Sequence, residues 1–154
     1  MANVRVAILP EPLDITAEIA RTTSGRGDIG AVVTFTGLCR DEDGRLEALE
    51  LEHYPSMAEA EVRRIAEQAA SRWDISDITV LHRHGKVRPG ESIVLVVTAS
   101  KHRHAAFESA EFVMDFLKTH APFWKKEHTA EGAAGWVAPK RSDDEANERW
   151  NGSD

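Results

Sequence analysis

The chain has 154 residues, 42% of them apolar and 29% charged, which fits one soluble globular domain with a core large enough to stand without staples. With 19 Lys+Arg against 26 Asp+Glu the net charge is −7, and this argues against non-specific nucleic-acid binding as the main activity. No apolar run approaches the roughly 20 residues of a membrane span. The start, MANVRVAILPEP, lacks the features of a signal peptide, and the single cysteine, Cys39, excludes an internal disulfide and fits a reducing cytoplasm.

Val4 to Leu9 reads as an edge strand ended by Pro10 and Pro12, and Asp14 to Arg21 as a short helix with Ile15, Ile19 and Ala20 on one side. A polar loop over 22–28 follows. Ile29 to Cys39 alternates as a strand, Arg40 to Arg45 is a turn, and Leu46 to Tyr54 is a second strand, so the two predict a hairpin. Ser56 and Glu59 fit a capping box, and Ala58, Val62, Ile65, Ala69 and Trp73 mark the apolar face of the helix it would open. Asp77 to Val87 reads as one strand with His82 and His84 on one side, and Pro89-Gly90 turns it into the apolar run Ile93 to Val97.

The stretch from Glu91 to Glu127 organises the rest. A turn over Ser100 to Arg103 leads into a helix from about His104 to Thr119, apolar nearly all round and therefore expected to be buried. Its polar seam, His104, Glu108, Glu111, Asp115 and Lys118, ends in the last turn, before Pro122 forbids continuation. Beyond Lys125 a hairpin is expected around Glu131-Gly132 with Trp136-Val137 in its return strand, then a C-terminal helix over 142–150. The order of elements predicts an α+β fold, with helices on a mainly antiparallel sheet, in a single domain spanning residues 1–154.

The chemistry lies in the same stretch. Lys101, Arg103, Lys118, Lys125 and Lys126, with His102, His104, His120 and His128, concentrate positive charge in an acidic chain, which suits an anion such as a phosphate. Lys118 on its own also reads as an ordinary helix-end cation paired with Asp115. His82 and His84 invite a metal reading, with His53 as third ligand, but no spacing matches a zinc signature. Cys39, in an apolar strand, reads as an ordinary buried cysteine rather than a nucleophile. From the residues alone, the chain is a soluble α+β domain with a lysine-rich anion site.

Three blocks carry a resemblance: AVVTFTGLCR at 31–40, LELEHYPSM at 49–57, and the 99–127 stretch with MDFLKTHAPFWKKE. They resemble the large, catalytic subunit of molybdopterin synthase, in order and spacing from about Val6 to Trp150. The resemblance implies an α/β hammerhead-type fold with an additional small antiparallel sheet. It implies a cytoplasmic sulfurtransferase with no metal or other cofactor of its own, a central homodimer bearing one small subunit at each end as a heterotetramer. The reaction implied moves two sulfurs, carried as a thiocarboxylate on the Gly-Gly tail of the small subunit, into cyclic pyranopterin monophosphate to form the dithiolene of molybdopterin.

By position, the resemblance makes Lys118 and Lys125 catalytic. Leu38, Cys39, Arg40, His102, Arg103, Lys126 and Glu127 become substrate-binding with them, and Phe35 and Met114 line the pocket for the partner's tail. Two lysines held close cannot both stay charged cheaply, so one could act as base or nucleophile beside a charged neighbour. Cys39 departs from the aliphatic residue expected there, and the Arg40–Arg45 turn is short. A non-catalytic, phosphate-ligand-binding homodimer on the same scaffold is the alternative. An RNA-binding module fits the acidity and the lack of an aromatic RNP-like strand poorly.

Overall fold

Two sheets, not one, divide the strands. The computed structural model describes residues 2–41, 44–120, 123–137, 148 and 150. The first sheet comprises β1 (Asn3–Leu9), β2 (Ala31–Leu38), β4 (Asp77–Arg83) and β6 (Ser92–Ser100), in the order β1-β4-β6-β2. The second comprises β3 (Leu46–His53), β5 (Gly85–Val87), β7 (Phe123–Thr129) and β8 (Gly132–Val137), in the order β5-β3-β7-β8. Only β1 and β4 pair parallel; every other described pairing is antiparallel.

Three helices cover the first sheet: α1 (Ile15–Thr23), α2 (Pro55–Arg72) and α3 (Arg103–Thr119). α2 and α3 lie on the face that carries Val6, Ile78, Val80, Val94 and Val96, and α1 lies over Leu81, Leu95 and Val97 on the other. Both faces are thus closed over β6, which explains an unbroken apolar run, rich in β-branched residues, where a half-exposed strand would alternate. Each of these fully buried valines or leucines contributes about 1.5–3 kcal/mol of transfer free energy. α1 also carries Glu18, whose carboxylate accepts a 2.7 Å bond from Arg5 of β1 and holds the helix across the edge strand.

Several expectations hold. β1 is an edge strand, the predicted α2 face is buried at Ala58, Val62, Ile65 and Ala69, and β7 and β8 form a hairpin with Gly132 at φ 112°. Four do not. β2 and β3 make no hairpin: β2 pairs along its length with β6, and β3 pairs with β5 and β7 in the other sheet. The intervening turn is a crossing between sheets, fixed by backbone bonds from Cys39 to Glu91 and from Gly90 to Cys39. The single strand expected over 77–87 is broken at Gly85, whose φ of 84° turns the chain from one sheet into the other. His82 and His84 therefore do not share a strand face.

The capping box does not form. Tyr54 is the N-cap of α2 and makes no side-chain cap bond, because Pro55, with φ preset for a helix, starts it earlier and leaves Ser56 inside. α3, finally, is not buried all round as its apolar surface predicts, since Phe107 is 60% exposed. The helix expected over 142–150 falls outside the described residues except for 148 and 150; Trp150 packs edge-on against Phe112 and Trp73.

The caps give a direct check. Asp14 accepts a 3.0 Å bond from the Ala17 N–H at the start of α1, so Asp14→Ala should cost about 1 kcal/mol in urea unfolding. Ser56→Ala should stay within about 0.5 kcal/mol of wild type. A Ser56→Ala loss as large as that of Asp14→Ala would restore the capping box.

Candidate functional site

α3 runs back along the first sheet, so its last turn returns to the end of the sheet where β6 begins. Lys118 sits exposed in that turn, and the helix closes with the His120 N–H on the Phe116 carbonyl at 2.8 Å. Pro122, expected to stop the helix, lies outside the described residues. The chain then enters the second sheet as β7. Its register pairs Phe123 with His53, Lys125 with Leu51 and Glu127 with Leu49, so these six side chains share one face. Leu51 is 1% exposed, which makes this the inner face.

The inner face meets the first sheet at His82. This ring, at the end of β4, is buried and stacked on Phe123 with centroids 3.8 Å apart and planes 14° apart. Its Nδ1 lies 2.7 Å from the Arg83 carbonyl oxygen; a carbonyl only accepts, so Nδ1 carries the proton and Nε2 is the acceptor. Burial pulls the pKa of His82 down to about 4, and the charges of Lys125, His53 and Lys118 push in the same direction. The charges of both lysines thus bear on one buried ring, although one comes from a helix over the first sheet and the other from a strand of the second.

Leu38, Cys39 and Arg40 reach the same end of the molecule, where β2 leaves the sheet. Leu38 and Arg40 are exposed, while Cys39 is buried with Leu51 and Val87. Burial raises the Cys39 pKa, and the carboxylates of Glu91, Asp41 and Glu127 add to the effect. The thiol therefore stays protonated, as an ordinary buried cysteine does. Glu127 faces this cluster. Lys126 does not: it points to the opposite face of β7, beside Glu50, which accepts a 2.7 Å bond from His128 and is held below the usual carboxylate range first by that bond.

His102 and Arg103 lie elsewhere. They open α3, next to Ser100, and Ser100 pairs with Ala31 at the start of β2, whereas Leu38 pairs with Ser92 at its end. Seven residues of strand separate these ends, roughly 23 Å at the usual rise. Gly30 seats the chain directly on the Lys101 backbone, where a Cβ would come within 2.3 Å of the carbonyl oxygen. A shallow groove of about 430 Å³ there is lined by His102, Arg103, His104, Phe107, Glu108 and Glu111. Phe35 projects from β2 opposite Val96 on the α3 side and is 39% exposed, and Met114 is buried on α3.

The structure thus gathers Lys118, Lys125, Glu127 and the Leu38–Arg40 segment at one end, and sets His102–Arg103 at the other. Sequence reasoning missed the joint of His82 with Phe123 and the nearby His53. The available signal was a histidine closing a strand whose preceding residues, Ile78 to Leu81, are all buried.

Comparison with known proteins gives consistent matches. The family model described as "MoaE protein" matches residues 8–120. The chain is 60% identical over 146 residues to the molybdopterin synthase catalytic subunit of Brucella melitensis, covering 94% of this chain and 90% of that one. Among solved structures, the molybdopterin biosynthesis MoaE protein of Burkholderia ambifaria superposes with a TM-score of 0.80 at 45% identity, covering 98% and 99% of the two chains. The molybdopterin synthase of Staphylococcus aureus gives a TM-score of 0.76 at 31% identity over 85% of this chain and 95% of the other.

The buried ring makes stability depend on pH. His82 is neutral in the folded protein down to about 4 but protonates near 6.5 when unfolded. Its contribution is therefore complete above 6.5 and is lost as pH falls towards 4, by on the order of 3 kcal/mol. Urea midpoints should fall across this window, and less steeply in His82→Phe. Parallel slopes for the two proteins would remove His82 as the cause.

Proposed function

The chain belongs to the MoaE protein family, whose relatives here are molybdopterin synthase catalytic subunits, and from that premise we propose that it carries out sulfur transfer at the Lys118–Lys125 end of the molecule. The chain is the catalytic subunit of molybdopterin synthase, a sulfurtransferase of molybdenum cofactor biosynthesis. In the proposed reaction a small partner brings sulfur as a thiocarboxylate on its Gly-Gly C-terminus. In each transfer the thiocarboxylate sulfur bonds a carbon of cyclic pyranopterin monophosphate as a carbon–oxygen bond there breaks and its oxygen leaves as water. Hydrolysis of the resulting thioester leaves the tail as a carboxylate and the sulfur on the pterin. One lysine, when neutral, acts as base or nucleophile while its charged neighbour steadies the thiocarboxylate or the substrate anion. Arg40 and Glu127 contact the substrate, and Phe35 with Met114 receives the partner's tail along the seam between β2 and α3. The setting is the reducing cytoplasm, where one protonated thiol is stable. Among the described residues, no helix is long and apolar enough to cross a membrane.

What supports this reading is geometric: Lys118, in the last turn of α3 over the first sheet, and Lys125, on the inner face of β7 in the second, come to the end of the molecule where β2 delivers Leu38–Arg40. A plain surface role for each lysine gives no reason for that convergence.

His102 and Arg103 need a second copy. A pterin monophosphate is shorter than the roughly 23 Å between the two ends of β2, so one chain cannot offer it both Arg40 and Arg103. In a two-fold dimer the contact is reciprocal, and an edge strand such as β2 lets the start of one chain meet the end of its partner. In our reading each site holds the lysines and Arg40 of one protomer and the His102–Arg103 pair of the other.

Lys118→Ala should fold, dimerise and bind the partner, yet form almost no dithiolene per active site with thiocarboxylated partner in excess; Lys125→Ala should be impaired less. Near-normal turnover by Lys118→Ala would sink the mechanism. Arg103→Ala should weaken precursor binding by about 1.5–3 kcal/mol in a titration. Mixing the Lys118→Ala and Arg103→Ala proteins under subunit exchange should restore about a quarter of wild-type turnover, because each mixed dimer regains one intact site. Activity no higher than that of the separate variants would remove the shared site.

A further inference from the structure

Lys118 and Lys125 share no continuous element. Lys118 is fixed by α3 on the first sheet, and Lys125 by β7 in the second, so their spacing depends on how the sheets are joined at that end. The tightest described ring contact across the joint is His82 of β4 lying flat on Phe123 of β7; Phe123 also packs on the apolar core of the first sheet, and His53 of β3, its register partner, stacks on it at 5.9 Å. Phe123 stands two residues before Lys125 on the same face of the strand. The ring of His82 cannot swivel freely, because Nδ1 is bonded to the Arg83 carbonyl and Val94 flanks it on β6.

Resting on the lysine reading above, we propose that His82 is a positioning residue for sulfur transfer: its stack on Phe123 sets β7, and with it Lys125, at the working distance from Lys118. The groups that face it are Lys118 on α3, Lys125 on β7 and His53 on β3, all basic. A protonated imidazole here would add a further positive charge to the pair. Burial keeps the ring neutral down to about pH 4, so it supplies a flat, oriented surface without that charge. A purely structural histidine would stabilise the joint but leave turnover per folded site unchanged. A positioning one alters turnover while leaving precursor binding alone, because misplacement of a catalytic group by a fraction of its reach falls on the chemical step.

The test uses the full-length protein with thiocarboxylated partner and precursor, and reads kcat and KM per folded active site. His82→Ala should lower kcat at least ten-fold with KM for precursor within two-fold, and His82→Phe, which keeps a flat neutral ring, should recover most of that loss. Phe123→Leu should lower kcat as well. The double variant should be no worse than the poorer single one, as expected when two residues act through one contact. Wild-type kcat in His82→Ala, or losses that multiply in the double variant, would overturn the proposal. If Lys118→Ala is itself active, the lysine reading fails instead, and the two failures are told apart.

A measurement independent of activity covers the case in which His82→Ala does not fold. A short bifunctional amine reagent should link Lys118 to Lys125 within one wild-type chain, located by peptide mass mapping. The yield should fall several-fold in Phe123→Leu. Equal yields in the two proteins would equally overturn the proposal.

Discussion

The join between the two sheets is the constraint on which the site depends. β4 ends at Arg83, and two residues later Gly85, at a φ of 84°, has already carried the chain into the second sheet. Such a hinge would leave the sheets free to rock unless something filled the angle between them. What fills it is a histidine stacked on a phenylalanine, each from a different sheet, with Leu51, Val87 and Cys39 packed nearby. The backbone bonds between Cys39, Gly90 and Glu91 tie the end of β2 to the same corner. The corner is therefore closed by packing and backbone bonds, and it is built from buried groups rather than from surface charge pairs of small worth.

Much of this was legible in the sequence and some was not, for physical reasons. The buried run of β6, the helix that returns from it and the β7–β8 hairpin follow from periodicity and turn chemistry, which are local signals. The assignment of strands to sheets is not local. Leu46 to His53 alternates in a way that suits a hairpin with β2 or a pairing with a strand more than 70 residues away, and only the burial of Leu51 against Cys39 and Val87 selects the second. The break at Gly85 was hidden because residues on both sides have strand propensity, and the capping box failed because Pro55 acts one residue earlier than Ser56. The two lysines were recognised from a helix end and a lysine-bearing segment beyond it. Their common neighbour was not, since a histidine closing a strand carries no pattern of its own.

The separation of Arg40 from His102–Arg103 shows what a one-dimensional cluster can conceal. Within the 28 residues from Lys101 to His128, the cations at the two ends of α3 are adjacent in sequence terms but about 25 Å apart along a 17-residue helix. Symmetry offers a way to bring opposite ends of one fold together without a longer chain. The proposed dimer uses it, and the shared site makes assembly a condition of activity rather than an accompaniment.

Cys39 bears on where the sulfur comes from. A sulfur-transfer site with a cysteine beside it raises the idea of a persulfide on that thiol. The local electrostatics oppose this. The side chain is 3% exposed, its pKa is raised first by burial, and the nearby carboxylates of Glu91, Asp41 and Glu127 disfavour a thiolate further. A thiol must ionise to act as a nucleophile, and this one is held in the form that does not. It is also the sole cysteine of these 154 residues. The sulfur must therefore arrive on another molecule, and in the proposed mechanism the groups that receive its thiocarboxylate are the cationic ones, Lys118 and Lys125. A site lined by lysines beside an inert thiol is what an external, anionic sulfur donor requires.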